Sequence, residues 1–102
     1  MSKFNELIQA EIPLLIDFHA EWCGPCKVLS PIIKEVKSEF GDQLRIIKVD
    51  IDKNPLVASK YQVRSVPTII LFQKGKQLWR QSGVLAKHQL IEIINSKISV
   101  NT

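Results

Sequence analysis

A pair of cysteines separated by two residues is the most reactive feature of this 102-residue sequence. They lie in the segment 22–26, which reads Trp-Cys-Gly-Pro-Cys, and the sequence contains no other cysteine. A structural zinc site needs about four ligands, but the only histidines, His19 and His88, do not form a second ligand pair. We therefore predict no metal site at Cys23 and Cys26, and we expect no cofactor.

A purely structural role for a disulfide between these cysteines is also disfavoured. Closing a ring of four residues restricts the unfolded chain by only about 2 kcal/mol before any strain is subtracted. Polar residues interrupt the apolar residues of the segment 1–6 too soon for the hydrophobic region of a secretory signal. We therefore expect a cytoplasmic protein in a reducing compartment, where structural disulfides are rare. The remaining interpretation is a dithiol that is oxidised and reduced reversibly.

The elements that must position the cysteines follow from the pattern of apolar residues. Continuous or alternating apolar runs predict strands, and apolar spacings of three and four predict helices. Strands are predicted at 14–18, 44–50, 68–72 and 76–81, and helices at 4–8, 28–40, 54–61 and 90–98. This order predicts one α/β domain over residues 1–102, with a mixed sheet of about four strands and helices on both faces.

The cysteines fall between the carboxyl end of the strand 14–18 and the start of the longest helix, where open sheets place their ligand sites. The free N–H groups and the dipole of that helix stabilise a thiolate. Projected at about 100° per residue, Cys26 lies beside Ile33 on the apolar stripe, whereas Cys23 lies toward its edge. We predict that Cys23 is the accessible nucleophile and that Cys26 is shielded and resolves the mixed disulfide.

Asp17 is an acidic residue inside the apolar run 14–18. Burial of a carboxyl group raises its pKa toward the range that is useful for proton transfer. The alternative is an aspartate that faces solvent at a strand end or caps a backbone group. We favour proton transfer because the strand of Asp17 leads directly to Cys23. Lys48 in the next strand is a candidate partner, although a lysine there is also typical of an exposed strand position.

Charge is distributed unevenly along the chain. Residues 1–52 hold six basic and nine acidic side chains, whereas residues 53–102 hold eight basic and one acidic. Such asymmetry can indicate a nucleic-acid surface, but the basic residues are scattered and no aromatic series accompanies them, so we predict no nucleic-acid binding. No uncharged stretch approaches the roughly 20 residues needed to cross a bilayer. We expect no membrane association and a monomer.

Motifs along nearly the whole chain resemble the thioredoxin family. The resemblance rests on the segments 16–18, 22–27, 49–52 and 66–68, together with Pro31 and Gly83. It implies a thioredoxin fold and a thiol–disulfide oxidoreductase that reduces disulfides in protein substrates and is itself reduced by a thioredoxin reductase. By the same resemblance, Cys23 is the nucleophile, Cys26 the resolving cysteine, and Asp17 with Lys48 the proton-transfer pair that acts on Cys26.

The resemblance also gives a role to the segment Val66-Pro67. The matching peptide bond of the family is cis and faces the cysteine pair, whereas only about 5 to 6% of X-Pro bonds in folded proteins are cis. The Val66 backbone would pair with an extended substrate segment as an added strand. The other residues that the resemblance assigns to this groove are Trp22, Gly24, Pro25 and Gly83.

Two features depart from the family pattern. Asp17 lies so close to the amino terminus that the first helix leaves almost no room for the family's additional first strand, so we expect four strands rather than five. His19 stands where the family commonly has tryptophan, and the sequence leaves open whether it titrates near the dithiol or only fills space. An oxidase or isomerase of the same fold, and a binding module that needs neither sulfur, are the alternative functions.

Overall fold

Helices and strands alternate along residues 2–98, which are the residues that the computed structural model describes. The helices are α1 (Ser2–Gln9), α2 (Gly24–Phe40), α3 (Pro55–Lys60) and α4 (Lys87–Lys97), with a short 3-10 helix at Gly41–Gln43. The strands are β1 (Leu14–His19), β2 (Arg45–Asp50), β3 (Thr68–Gln73) and β4 (Lys76–Ser82). Every predicted element is present with its ends shifted by a few residues.

The four strands form one mixed sheet in the order β2-β1-β3-β4. β1 pairs parallel to β2 and antiparallel to β3, and β4 pairs antiparallel to β3. The predicted sheet of four strands is confirmed, and within residues 2–98 no strand precedes β1. The register places Asp17 opposite Lys48 and His19 opposite Asp50.

Each face of the sheet carries its own apolar core because side chains alternate along a strand. Ile16 and Phe18 of β1 belong to the cluster that includes Val57 of α3. Leu15 belongs to the opposite cluster, with Leu29 of α2. Burying a side chain of this size contributes about 1.5–3 kcal/mol, so both cores hold β1 firmly. Asp17 and His19 share the strand parity of Leu15, and their side chains therefore project toward the face that α2 covers.

Local sequence determines both ends of α2, the longest helix. Pro25 stands in its first turn, where the absent N–H of proline removes no helical hydrogen bond. The helix ends at Gly41, whose φ of 55° suits glycine. Between these ends α2 continues through Pro31 as one element. Among residues 2–98, no helix has the length and apolar character needed to cross a membrane.

Candidate active site

The junction between β1 and α2 holds the two cysteines. The Cys23 N–H donates to the carbonyl oxygen of Ala20 at 3.2 Å, which closes a tight turn directly after β1. Cys23 then occupies the N-cap position of α2 with extended backbone angles. Its sulfur accepts a hydrogen bond of 3.1 Å from the Cys26 N–H. Cys23 therefore caps the helix in the way that a serine or aspartate does elsewhere.

Cys23 and Cys26 form a disulfide, with their Cα atoms 5.3 Å apart. Cys23 is 4% exposed and Cys26 is 5% exposed, so the predicted difference in burial between the two residues is wrong. The helical projection failed because Cys23 is the N-cap and does not follow helical geometry. Its side chain lies in a small cluster with Ala20 and Cys26, against which Ile51 and Val66 pack. What distinguishes the two sulfurs is the cap hydrogen bond, which only Cys23 accepts.

Asp17 is a buried carboxyl group without a hydrogen-bond partner. It is 1% exposed, and neither of its carboxyl oxygens has a partner. Desolvation raises the pKa of Asp17 above its ordinary value, and the positive charges of Lys48 and His19 oppose that rise only in part. The prediction of a desolvated carboxyl is therefore confirmed. The alternatives of a solvent-facing or capping aspartate are excluded.

Lys48 pairs with Asp17 in the register of β1 and β2, but its ammonium group donates its hydrogen bond to another residue. The side chain is exposed, and its Nζ donates to Oγ of Ser30 on α2 at 2.9 Å. Its charge nevertheless lowers the pKa of Asp17, as the larger of the two effects that oppose desolvation. Lys48 thus acts on Asp17 through its charge and not through a hydrogen bond.

A pocket of about 190 Å³ occupies that region, between the end of β1, the first turns of α2 and strand β2. Buried Cys26 and half-buried His19 and Ser30 line it, together with the exposed side chains of Lys27 and Lys48. Cys26 thus borders this pocket although it is only 5% exposed. This pocket could not be predicted from the sequence, because it depends on which side chains three separate elements bring together.

The loop before β3 lies on the other side of the disulfide. The Val66–Pro67 peptide bond is cis, as the resemblance implied, and the Val66 side chain packs on the cysteine cluster. The carbonyl oxygen of Pro67 accepts a hydrogen bond of 2.9 Å from the Gly83 N–H. Gly83 has a φ of +97°, and no atom lies within 4 Å of the position that a Cβ would take there. Val66, Pro67 and Gly83 thus form one wall beside the cysteines.

Trp22 stands fully outside the core, with 70% of its surface exposed. Its indole Nε1 donates to an Asp52 carboxylate oxygen at 2.8 Å. Asp52 is held in turn by its loop, because the Asp50 carboxylate accepts hydrogen bonds from the N–H groups of Asp52 and Lys53, at 2.9 and 3.2 Å. A role for Asp50 or Asp52 was not evident from the sequence. The contact of Trp22 with Asp52 spans 30 residues and leaves no local signal.

Gly24 and Pro25, the two residues between the cysteines, are exposed. No atom lies within 4 Å of the position that a Cβ would take at Gly24. This part of the surface is therefore open to a second molecule. Among residues 2–98, no group of three or more histidine, cysteine, aspartate or glutamate side chains is placed to hold a metal ion.

The fold and the site together define a class of protein. A mixed α/β sheet carries a Cys-Gly-Pro-Cys disulfide at the start of a helix, beside a cis-proline loop and a buried carboxyl group. These are the parts of a thiol–disulfide exchange protein, in which a thiolate attacks a disulfide through a mixed-disulfide intermediate.

Comparison with known proteins identifies the family. A family model described as Thioredoxin matches residues 1–96. A thioredoxin of Rickettsia prowazekii (strain Madrid E) is 45% identical over 94 residues, covering 92% of this chain and 90% of that protein. Thioredoxin Y, chloroplastic, of Oryza sativa subsp. japonica is 42% identical over 100 residues, covering 97% of this chain and 60% of that protein.

A solved structure gives the same result. A mutant thioredoxin from Halobacterium salinarum NRC-1 matches with a TM-score of 0.86 and 30% identity, covering 100% of this chain and 88% of that chain. The chain belongs to the thioredoxin family. It is a thiol–disulfide oxidoreductase that reduces protein disulfides through its cysteine pair.

Proposed function

We propose that Cys23 is the nucleophile and Cys26 the resolving cysteine of this disulfide reductase. The observation that carries the assignment is the hydrogen bond from the Cys26 N–H to the Cys23 sulfur at the start of α2. An N–H donor and the positive end of the helix dipole both stabilise negative charge on that sulfur. Cys23 is therefore the better thiolate, both as the attacking group and as the leaving group.

The reaction has two exchange steps. The Cys23 thiolate attacks one sulfur of a substrate disulfide, which forms a mixed disulfide and releases the other substrate sulfur as a thiolate. Cys26 then loses its proton and attacks the Cys23 sulfur, which forms the Cys23–Cys26 disulfide and releases the second substrate thiolate. Two electrons pass to the substrate, and the protein is left in the oxidised state that the structure shows.

Asp17 and Lys48 serve the second step in this proposal. A carboxyl group with a raised pKa accepts and returns a proton near neutral pH more readily than an ordinary aspartate. The raised pKa of Asp17 thus suits it to receive the proton that Cys26 must lose. Lys48 moderates the rise in the pKa of Asp17 through its charge.

The substrate groove lies over the cysteines between two walls. Val66, Pro67 and Gly83 form one wall, in which the Val66 backbone would pair with an extended substrate segment. Trp22 forms the other, and its bond to Asp52 fixes the ring orientation. Gly24 and Pro25, both exposed between the cysteines, leave the approach open. Recognition through backbone pairing is compatible with many protein substrates.

The partner that restores the dithiol is a thioredoxin reductase, as in the family that the chain belongs to. In this proposal a monomer of residues 1–102, forming one domain, works in the cytoplasm. It binds neither nucleic acid nor membrane, and it contributes there to electron transport and redox homeostasis. A coupled assay with reductase, NADPH and a protein disulfide tests the activity. Absence of turnover with several reductases would contradict the proposed partner.

Trapping experiments test the roles of the two sulfurs. Cys26→Ser leaves a nucleophile that cannot be resolved, so we expect it to accumulate mixed disulfides with substrates on Cys23. The matched variant Cys23→Ser should accumulate few. Mass spectrometry of the adducts under non-reducing conditions decides between the assignments, and predominant adducts on Cys26 of the Cys23→Ser variant would reverse them.

A further inference from the structure

The pocket behind Cys26 has no function in the exchange steps described above. Its volume of about 190 Å³ leaves room for several water molecules, and the polar groups of His19, Ser30 and Lys48 at its lining offer them partners. It opens past exposed Lys27 and Lys48 and reaches buried Cys26. The pocket thus connects solvent with the cysteine that must lose a proton in the second exchange step.

His19 is placed to use this connection. It ends β1, is half-buried, and lines the same pocket as Cys26. Imidazole is the side chain that ordinarily changes charge between pH 5 and 8. Asp17, by contrast, is 1% exposed, so a proton that it holds has no direct path to water. His19 lies two residues further along the same strand face, toward the solvent end of β1.

We propose that His19 passes the Cys26 proton between the buried site and solvent through this pocket. The inference rests on the proposed role of Cys26 as the resolving cysteine. During substrate reduction, neutral His19 takes up the proton that Cys26 releases, by way of Asp17 or of pocket water. The Cys26 thiolate attacks the Cys23 sulfur, and the imidazolium then gives its proton to bulk water. When the disulfide is reduced again, His19 takes a proton from water and passes it to the Cys26 thiolate.

His19 is not the only charged or titratable group at this pocket. Charged and titratable side chains come from every element that meets there. By element they are Asp17 of β1, Glu21 of the following turn, Cys26 and Lys27 of α2, and Lys48 and Asp50 of β2.

A single-turnover experiment separates the two exchange steps. Reduced protein is mixed with a fluorescently labelled protein disulfide, quenched in acid at intervals, and analysed by intact mass spectrometry between pH 5 and 8. For His19→Gln we expect the mixed disulfide to form at the wild-type rate and to resolve about tenfold more slowly. This factor is smaller than the usual contribution of general acid–base catalysis because Asp17 remains in the variant. The pH dependence of resolution should also flatten.

Two further variants make the result specific. His88→Gln removes the other histidine, which is exposed on α4, and should leave both steps unchanged. His19→Ala should recover its resolution rate when imidazole is added, since the enlarged pocket admits the free base, and a packing defect would not respond in this way.

The outcomes distinguish this inference from the proposed function. Superimposable profiles for wild type and His19→Gln, or a slow His19→Ala variant that imidazole does not accelerate, would overturn the role of His19. If instead the wild-type mixed disulfide formed on Cys26, the proposed roles of the cysteines would fail first.

Discussion

Replacing Asp17 by asparagine should stabilise the protein at neutral pH. The carboxyl group is 1% exposed and neither oxygen has a hydrogen-bond partner. The charge that opposes desolvation most is that of Lys48. Its side chain is exposed and donates to Ser30, so it offsets little of the desolvation. A buried polar group without a partner costs about 1–3 kcal/mol and a charged one costs more. We therefore expect a gain of about 2 kcal/mol for Asp17→Asn, which keeps the shape and removes the charge.

The gain should depend on pH with a definite sign. Burial raises the pKa of Asp17 in the folded state above the ordinary value of 3.8. The folded state therefore binds more protons, and the wild type loses stability as pH rises from about 3.8 to the raised pKa. The advantage of Asp17→Asn is absent below this window, grows through it, and is constant above it. Urea unfolding of the oxidised proteins from pH 4 to pH 8 measures this difference.

Asp50 provides the matched control. It is 8% exposed, but its carboxylate accepts two backbone hydrogen bonds, from Asp52 and Lys53. Asp50→Asn should therefore lose about 1–3 kcal/mol at neutral pH, since it weakens bonds to a charged acceptor. If Asp17→Asn were destabilising at pH 7 with an unchanged m-value, or its gain did not shrink toward pH 4, the reasoning about Asp17 would be refuted. Thiol–disulfide exchange should also be slower in Asp17→Asn, and a coupled turnover assay detects this change.

Two other contacts yield sharp predictions. Asp52→Ala removes the acceptor of the Trp22 indole, so we expect the KM for protein substrates to rise a few-fold. The free energy of unfolding should change by less than about 1 kcal/mol because the hydrogen bond is exposed. An unchanged KM would mean that substrate binding does not depend on this hydrogen bond. Gly83→Ala forces a side chain onto a φ of +97° and should cost roughly 1–2 kcal/mol in urea unfolding. Gly24→Ala, in helical backbone with open space around the new methyl group, is its control and should be neutral or slightly stabilising.

The sequence predicted the fold because each element has its own local pattern. The apolar run around Ile16 required a strand buried on both faces, and the spacing from Leu29 to Phe40 required one long helix. Asp17 could be predicted as a desolvated carboxyl for the same reason, since its neighbours in the strand fixed its environment. Features that depend on contacts between distant elements were not predictable. The bond from Trp22 to Asp52 and the pocket beside Cys26 belong to this group.

The two cysteines do not differ in burial as predicted, but they differ in the hydrogen bonds that their positions allow. A solvent-exposed thiolate would be accessible, but only water would stabilise its negative charge. At the N-cap, the Cys23 sulfur can accept the Cys26 N–H because a side chain in that position reaches the first turn of the helix. Cys26 lies inside the turn, where its own N–H is used as the donor. Asp17, whose pKa is raised by burial, lies on the strand that leads into this turn. In the proposed mechanism, the backbone therefore favours negative charge on the Cys23 sulfur, and Cys26 depends on a proton acceptor such as Asp17. Under the proposed roles, the nucleophile and the proton-transfer partner are thus distinguished by their different surroundings within one site.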